Sequence, residues 1–367
     1  GPLSWQADLE LDDFNPGYWV PEAEASISGD LRSEGQLNDG VPALWLAWDL
    51  SGERRSEPLS SKGRLSSEQN RWEVTELEAT LGDNQVSGTG FWEGKFGADL
   101  MLSIPEPEVI VPGLTGSLEG TASLSGTLEE PLGELRLEAA DIQWQDQARI
   151  GTVALRADLG AGRRLDSELQ VKDIVSAEQR IESLTAALTG TPEQHQLALA
   201  VEHREVTADL GFSGRWQQNA GGEGVAGWLG QLAEGVVEIT GPGQRWELDQ
   251  AAAIRFLPGQ ELTLASHCWR WDESALCSGN QTLRPELAVS VTLERFPAMA
   301  LDPLLPETLR WEAMLNGELN VVMTDDGPQG QIRLGAGPGE VSVVTGACWI
   351  WRKWQVRSTA KGGWKAR

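Results

Sequence analysis

The sequence predicts an all-β protein, and three observations carry that prediction. Apolar and polar residues alternate with a period of two over most of the chain. Clusters of Gly, Pro, Asp and Ser interrupt the alternation at roughly the 8–15-residue spacing of strands joined by short turns. Few stretches place apolar residues at helical spacing instead.

A period of two sends alternate side chains to opposite faces, so each such run reads as a strand with one apolar and one wet face. Leu135, Leu137 and Ala139 alternate with Glu134, Arg136 and Glu138, and Val153, Leu155, Ala157 and Leu159 with Thr152, Ala154, Arg156 and Asp158. The pattern recurs at Leu197, Leu199 and Val201, at Ala208, Leu210 and Phe212, and at Leu262 and Leu264. It returns at Leu287, Val289, Val291 and Leu293, then at Leu315, Gly317, Leu319, Val321 and Met323. Turn chemistry separates the runs, as in Leu124-Ser125-Gly126-Thr127, Gly160-Ala161-Gly162, Thr189-Gly190-Thr191-Pro192 and Thr240-Gly241-Pro242-Gly243. Two segments are ambiguous. Val225, Trp228, Leu229, Leu232 and Val236 fall at helical spacing, but Gly227, Gly230 and Gly235 would each cost about 1 kcal/mol in a helix. Ile181, Leu184 and Leu188 share the ambiguity, and Met299 to Leu305 fits one short turn.

Strand pairs recur loosely with Ser/Thr-Gly punctuation, which predicts stacked β units forming one elongated body, and no linker breaks residues 5–345. Gly1-Pro2-Leu3-Ser4 reads as the remnant of a cleaved tag, so residues 5–345 are expected to be a segment of a longer protein. Residues 346–367 hold six cations, four tryptophans and no acid, and the alternation stops there, so this basic tail is expected to be foreign or disordered. The 55 acidic residues against 29 basic ones give a formal charge of −26, which opposes a phosphate backbone and excludes a nucleic-acid partner. Charged and apolar fractions of 23% and 40% belong to a folded chain. The 42 glycines and 17 tryptophans, against one tyrosine, have no explanation in composition alone.

Catalytic chemistry is not expected. The histidines are His195, His203 and His267; no nucleophile elbow, phosphate loop or zinc-protease motif occurs, and 55 acids guarantee accidental carboxylate neighbours. His195 and His203 read as surface residues on neighbouring segments. Cys268 and Cys277 bracket a turn at Asp272-Glu273-Ser274, so a hairpin would set them face to face and an oxidising compartment would close a disulfide. Free thiols, or a metal site with His267 that lacks a fourth ligand, are the alternatives. No metal or cofactor is expected.

Leu11-Asp12-Asp13-Phe14-Asn15-Pro16-Gly17-Tyr18-Trp19, Ser28-Gly29-Asp30-Leu31, Leu81-Gly82-Asp83-Asn84 and Gly190-Thr191-Pro192-Glu193-Gln194-His195-Gln196-Leu197 form a familiar series. With Trp246-Glu247-Leu248, His267-Cys268-Trp269, Leu276-Cys277, Phe296-Pro297 and Leu304-Leu305-Pro306, the chain resembles the TamB family from about residue 5 to about 340. The resemblance implies a long sheet bent along its length into an open apolar groove, the β-taco of AsmA-like proteins. It also implies a periplasmic segment of a protein anchored in the inner membrane, which bridges to the outer membrane and meets the barrel TamA through regions outside this stretch. Phospholipid transport and outer-membrane protein assembly are the roles it implies.

On that reading the groove is lined by Leu135, Leu137, Val153, Leu155, Leu159, Leu197, Leu199, Val201, Leu210, Phe212, Leu262, Leu264, Leu287, Val289, Val291, Leu293 and Val321, with acyl chains as cargo. A closed sandwich, with the same residues under a second sheet, is the structural alternative. The functional alternative is a chaperone that templates outer-membrane β-hairpins by strand addition. A β-helical adhesin is a further possibility. Raw sheet edges at both ends of a cut segment predict edge-to-edge self-association.

Overall fold

The computed structural model describes residues 3–360 apart from 22–23, 39–40, 146, 177–178, 223, 242, 307, 325–326, 344–346 and 352–353. Gly1-Pro2 of the tag-like start, and residues 346, 352–353 and 361–367 of the basic tail, lie outside the described residues. The protein is all β and antiparallel throughout the pairings described below. Two compact units divide it, residues 1–189 and 190–367.

The first unit is a serial meander. Its strands are β1 (Leu3–Phe14), β2 (Ser26–Asn38), β3 (Val41–Arg54), β4 (Glu57–Glu68), β5 (Arg71–Leu81), β6 (Asn84–Trp92) and β7 (Phe96–Ile104). They continue with β8 (Leu114–Gly126), β9 (Pro131–Trp144), β10 (Ala148–Gly160) and β11 (Arg164–Ser176), each pairing with the next. β12 (Gln179–Thr191) follows and carries the boundary between the units. Short turns make this order possible. Arg55-Ser56 and Gln69-Asn70 each hold positive φ at both central positions, the type I′ geometry whose twist matches that of paired strands. Eleven strands about 4.8 Å apart carry the sheet roughly 48 Å along its hydrogen-bonding direction. A line of irregular pairing crosses β8 to β11 at Gly116, Asp141, Gly151 and Asp173. Gly116, Asp141 and Asp173 have positive φ there. Along that line the register shifts only between β8 and β9, where a bulge bends the strand and sharpens its twist.

The second unit contains β13 (Gln194–His203), β14 (Val206–Gln217), β15 (Gly227–Ile239), β16 (Gln244–Leu248), β17 (Ala252–Leu257), β18 (Glu261–Leu264), β19 (His267–Trp271) and β20 (Ser274–Ser278). Beyond them come β21 (Gln281–Arg284), β22 (Ala288–Pro297), β23 (Leu309–Glu312), β24 (Met314–Thr324), β25 (Gly327–Ala336), β26 (Gly339–Val343), β27 (Ala347–Trp351) and β28 (Trp354–Ala360). Strand β15 pairs with β14 on one side, and its other side is shared by β16 and β17, so the sheet forks. One branch runs β16–β19–β20, the other β17–β18–β21, and both rejoin at β22, which β24, β25 and β28 extend. Strands β23, β26 and β27 form a second, three-stranded sheet.

The ambiguous run at Val225–Val236 lies largely within strand β15, and Ile181, Leu184 and Leu188 lie on β12. Glycines at 227, 230 and 235 penalise a helix, while partners on both sides favour a strand. The short turn expected at Met299 to Leu305 is a 3-10 helix over Ala298–Leu304. Leu287 precedes β22 instead of alternating within it; its carbonyl accepts from the Met323 amide at 2.8 Å. His195 and His203 stand at the two ends of the single strand β13, not on neighbouring segments.

Candidate functional site

Directly paired residues of an antiparallel sheet share a face, so the register can be followed across it. In the first unit one path reads Leu11, Gly29, Leu50, Ser61, Ala79, Val86, Leu102, Gly120, Leu137, Leu155, Leu169. Eleven strands thus contribute to one cross-strand row without a single charge. Two residues along each strand a second row reads Leu9, Leu31, Trp48, Gly63, Leu77, Gly88, Leu100, Ala122, Leu135, Ala157, Ser167. Leu124, Gly133, Leu159 and Leu165 belong to a third, and Ala139, Val153 and Val171 to a fourth. Leu135, Leu137, Val153, Leu155 and Leu159 therefore share this one face.

The opposite face is ionic. There Lys62 and Arg64 reach Glu76 at 3.3 and 3.4 Å, and Arg136 meets Glu134 at 2.9 Å. Arg156 donates to Asp158 at 3.0 Å, a hydrogen bond that holds its guanidinium above the usual pKa. These exposed pairs add little stability each but keep that face wet.

Burial separates an open face from a closed one. Among the described residues of the first unit only Gly63, Ser67, Asn84, Ile104 and Pro107 are buried. Leu137 and Leu155 are only partly buried, and Leu9 and Leu100 are 58% and 44% exposed. A second layer packed on the rows would have removed them from water.

The register also gives a role to some of the tryptophans and glycines. Trp5 on β1 is paired with Gly35 on β2, and Trp48 on β3 with Gly63 on β4. In both cases a Cβ on the glycine would lie 2.1 Å from an indole carbon, so the ring lies flat where a side chain would stand. Each indole N–H donates to the serine two residues before that glycine: Trp5 to Ser33 at 3.1 Å, Trp48 to Ser61 at 3.0 Å. Trp228 also lies over Gly214 and Gly230, and Trp269 over Gly235, without being the paired residue across from them. The indole supplies apolar area and levels the face, as aromatic residues do over strand glycines.

In the second unit Leu197 pairs with Phe212, Leu199 with Leu210, and Val201 with Ala208, which pairs in turn with Val237. Val237 faces Trp246 on β16. A row along the first branch reads Leu248, Trp269, Leu276, Leu293, Gly317, Leu334. Val289 pairs with Val321 and Val291 with Leu319. On the other branch Leu264 and Leu262 pair with Ile254 and Phe256, but then meet Gln281 and Arg284 of β21, where the apolar row stops. This unit also holds a small closed core in which Ala298, Leu315 and Ala336 are buried, with Phe296, Leu301 and Trp311 packed on it. Next to it Val237, Trp246, Trp269, Leu276, Leu293 and Phe296 surround an apolar cleft of about 470 Å³. The sequence reading placed Leu293 in the groove but quoted Trp246, Trp269 and Phe296 only as residues that carry the family resemblance; they become neighbours once the fork brings β16, β19 and β22 together.

Cys268 and Cys277 face each other across the β19–β20 hairpin, 4.0 Å apart at Cα, and are joined in a disulfide. Both thiols are used, which closes the metal alternative. His267 is buried, with Nδ1 3.0 Å from the Ala265 carbonyl and 2.9 Å from the Ser278 hydroxyl. His195 takes the Trp228 indole N–H on Nε2. No helix among the described residues is long and apolar enough to cross a membrane.

The family model for the TamB N-terminal domain matches residues 1–348. The chain is similar to the translocation and assembly module subunit TamB of Haemophilus influenzae (strain ATCC 51907 / DSM 11121 / KW20 / Rd), 24% identical over 284 residues. That alignment covers 75% of this chain and 21% of the relative, so the chain spans about a fifth of that protein's length. No solved structure matches it.

Proposed function

This chain belongs to the TamB family, and from that premise we propose that its apolar face carries the acyl chains of phospholipid through the periplasm towards the outer membrane. The observation that supports this reading is the uncharged row across eleven strands, partly buried with no member fully buried, and backed by an ionic face. Each methylene laid on such a floor gains up to about 0.8 kcal/mol, while the headgroup stays in water. Successive strands present similar apolar sites about 4.8 Å apart, so a chain can advance by small steps without leaving apolar contact. Indoles lying over glycines keep those steps level. No covalent chemistry is required of any residue; the chain acts as a guide and not as an enzyme.

In the whole protein this stretch would work within a translocation and assembly module, the assembly named for the relative, with membrane anchor and TamA contact supplied by other regions.

Photo-crosslinking residues at Leu155, Leu199 and Val291 test the proposal against Ala154, Ala198 and Ser290 on the other face. Lipid adducts are expected at the first three positions. Adducts confined to the second three would contradict the assignment of the face.

A further inference from the structure

The cleft of the second unit differs from the open rows in being walled. Trp246 is 7% exposed and stacks on Phe296 at 6.3 Å between ring centroids, with planes 10° apart. Trp271 touches both, at 5.8 and 5.9 Å. Phe296 is packed in turn on the closed core of Ala298, Leu315 and Ala336, so this wall stands on the most thoroughly buried part of the unit. On the other side, Trp269 and Leu276 project from the hairpin that the disulfide ties, each beside a bonded cysteine.

The cleft is almost wholly apolar. Its polar side chain, Gln244, is buried, and its amide oxygen accepts the Trp246 indole N–H at 3.1 Å. No ionisable residue lines it. An occupant must therefore be uncharged along the length it buries. Trp269, Leu276 and Leu293 also belong to the open row that runs on through Gly317 and Leu334, so the cleft opens into an apolar track and suits a linear aliphatic ligand.

We propose that this cleft is a dwell site for one aliphatic lipid chain, held between the Trp246–Phe296 wall and the disulfide-tied Trp269–Leu276 hairpin, with the rest of the chain on the adjoining row. The inference rests on the acyl-carrier reading and adds a fixed station to it. Burial on several sides removes more methylene surface from water than a one-sided floor does, so occupancy concentrates here.

The test uses palmitic acid bearing a diazirine at its terminal carbon, photolysed with the purified chain at limiting concentration and mapped by peptide mass spectrometry. Adducts are expected mainly on the peptides that carry residues 269–276 and 293–296, and more weakly on the peptide that carries Leu155. Leu276→Trp, which fills the cleft, should lower the first set about tenfold, as loss of a few methylene contacts does, and leave the Leu155 peptide unchanged. Val237→Trp, filling it from β15, should do the same, and Leu276→Met should not. Equal labelling of both regions, insensitive to either filling variant, would overturn the dwell site and leave the groove standing. Labelling of neither region would remove both. Cleft labelling displaced by an apolar peptide but not by unlabelled palmitate would overturn the assignment to a lipid chain.

Discussion

Gly63 shows how much of this face is decided by single atoms. A methyl group there would meet the Trp48 ring at 2.1 Å, so the indole would have to leave both its glycine and its Ser61 hydrogen bond. Gly63→Ala is expected to cost about 1–3 kcal/mol, an overpacking penalty. Gly241→Ala, where nothing lies within 4 Å, should stay within about 0.5 kcal/mol of the parent, measured by urea unfolding. Leu155 and Leu315 separate open from closed packing. An aspartate at partly buried Leu155 can reach water, so Leu155→Asp should cost about 1–2 kcal/mol. Leu315 is 3% exposed, and Leu315→Asp should cost about 3–5 kcal/mol. Equal losses at the two sites would mean that the Leu155 face is covered. Composition announces the excess of Trp and Gly but not its cause, because Trp5 and Gly35 lie 30 residues apart and only the register joins them.

Among the elements, the hairpin β19–β20 was the most legible, since Cys268, a turn and Cys277 fix both its pairing and its bond. Closing a loop of this length contributes about 2–3 kcal/mol. Cys268→Ser with Cys277→Ser should lower the stability of the second unit by that amount, and non-reduced peptide mapping should find the two cysteines in one linked species. Free thiols after non-reducing purification would contradict this. Alternation located the strands carrying Leu135, Leu155, Leu199 and Val291 because half-buried strands must show it. It started the run at Leu287, one residue before the strand begins at Ala288. It could not anticipate the fork at β15, since the choice between β16 and β17 as partner depends on contacts between distant segments.

For the molecule as a whole, the first unit presents one apolar and one ionic face, and among its described residues the apolar rows lack a covering layer from that unit. Of the uncharged rows, the sequence reading named the residues on β9 and β10; their continuity across eleven strands was not legible, because it requires the register of ten successive pairings. Native mass spectrometry of the purified chain, followed by solvent extraction, is the most direct test of acyl-chain carriage. Phospholipid should remain bound through gentle ionisation, and Leu155→Asp combined with Leu199→Asp should strip it while the far-UV spectrum stays that of a β protein. A folded parent chain that carries no lipid, and takes none up from phospholipid vesicles, would contradict it.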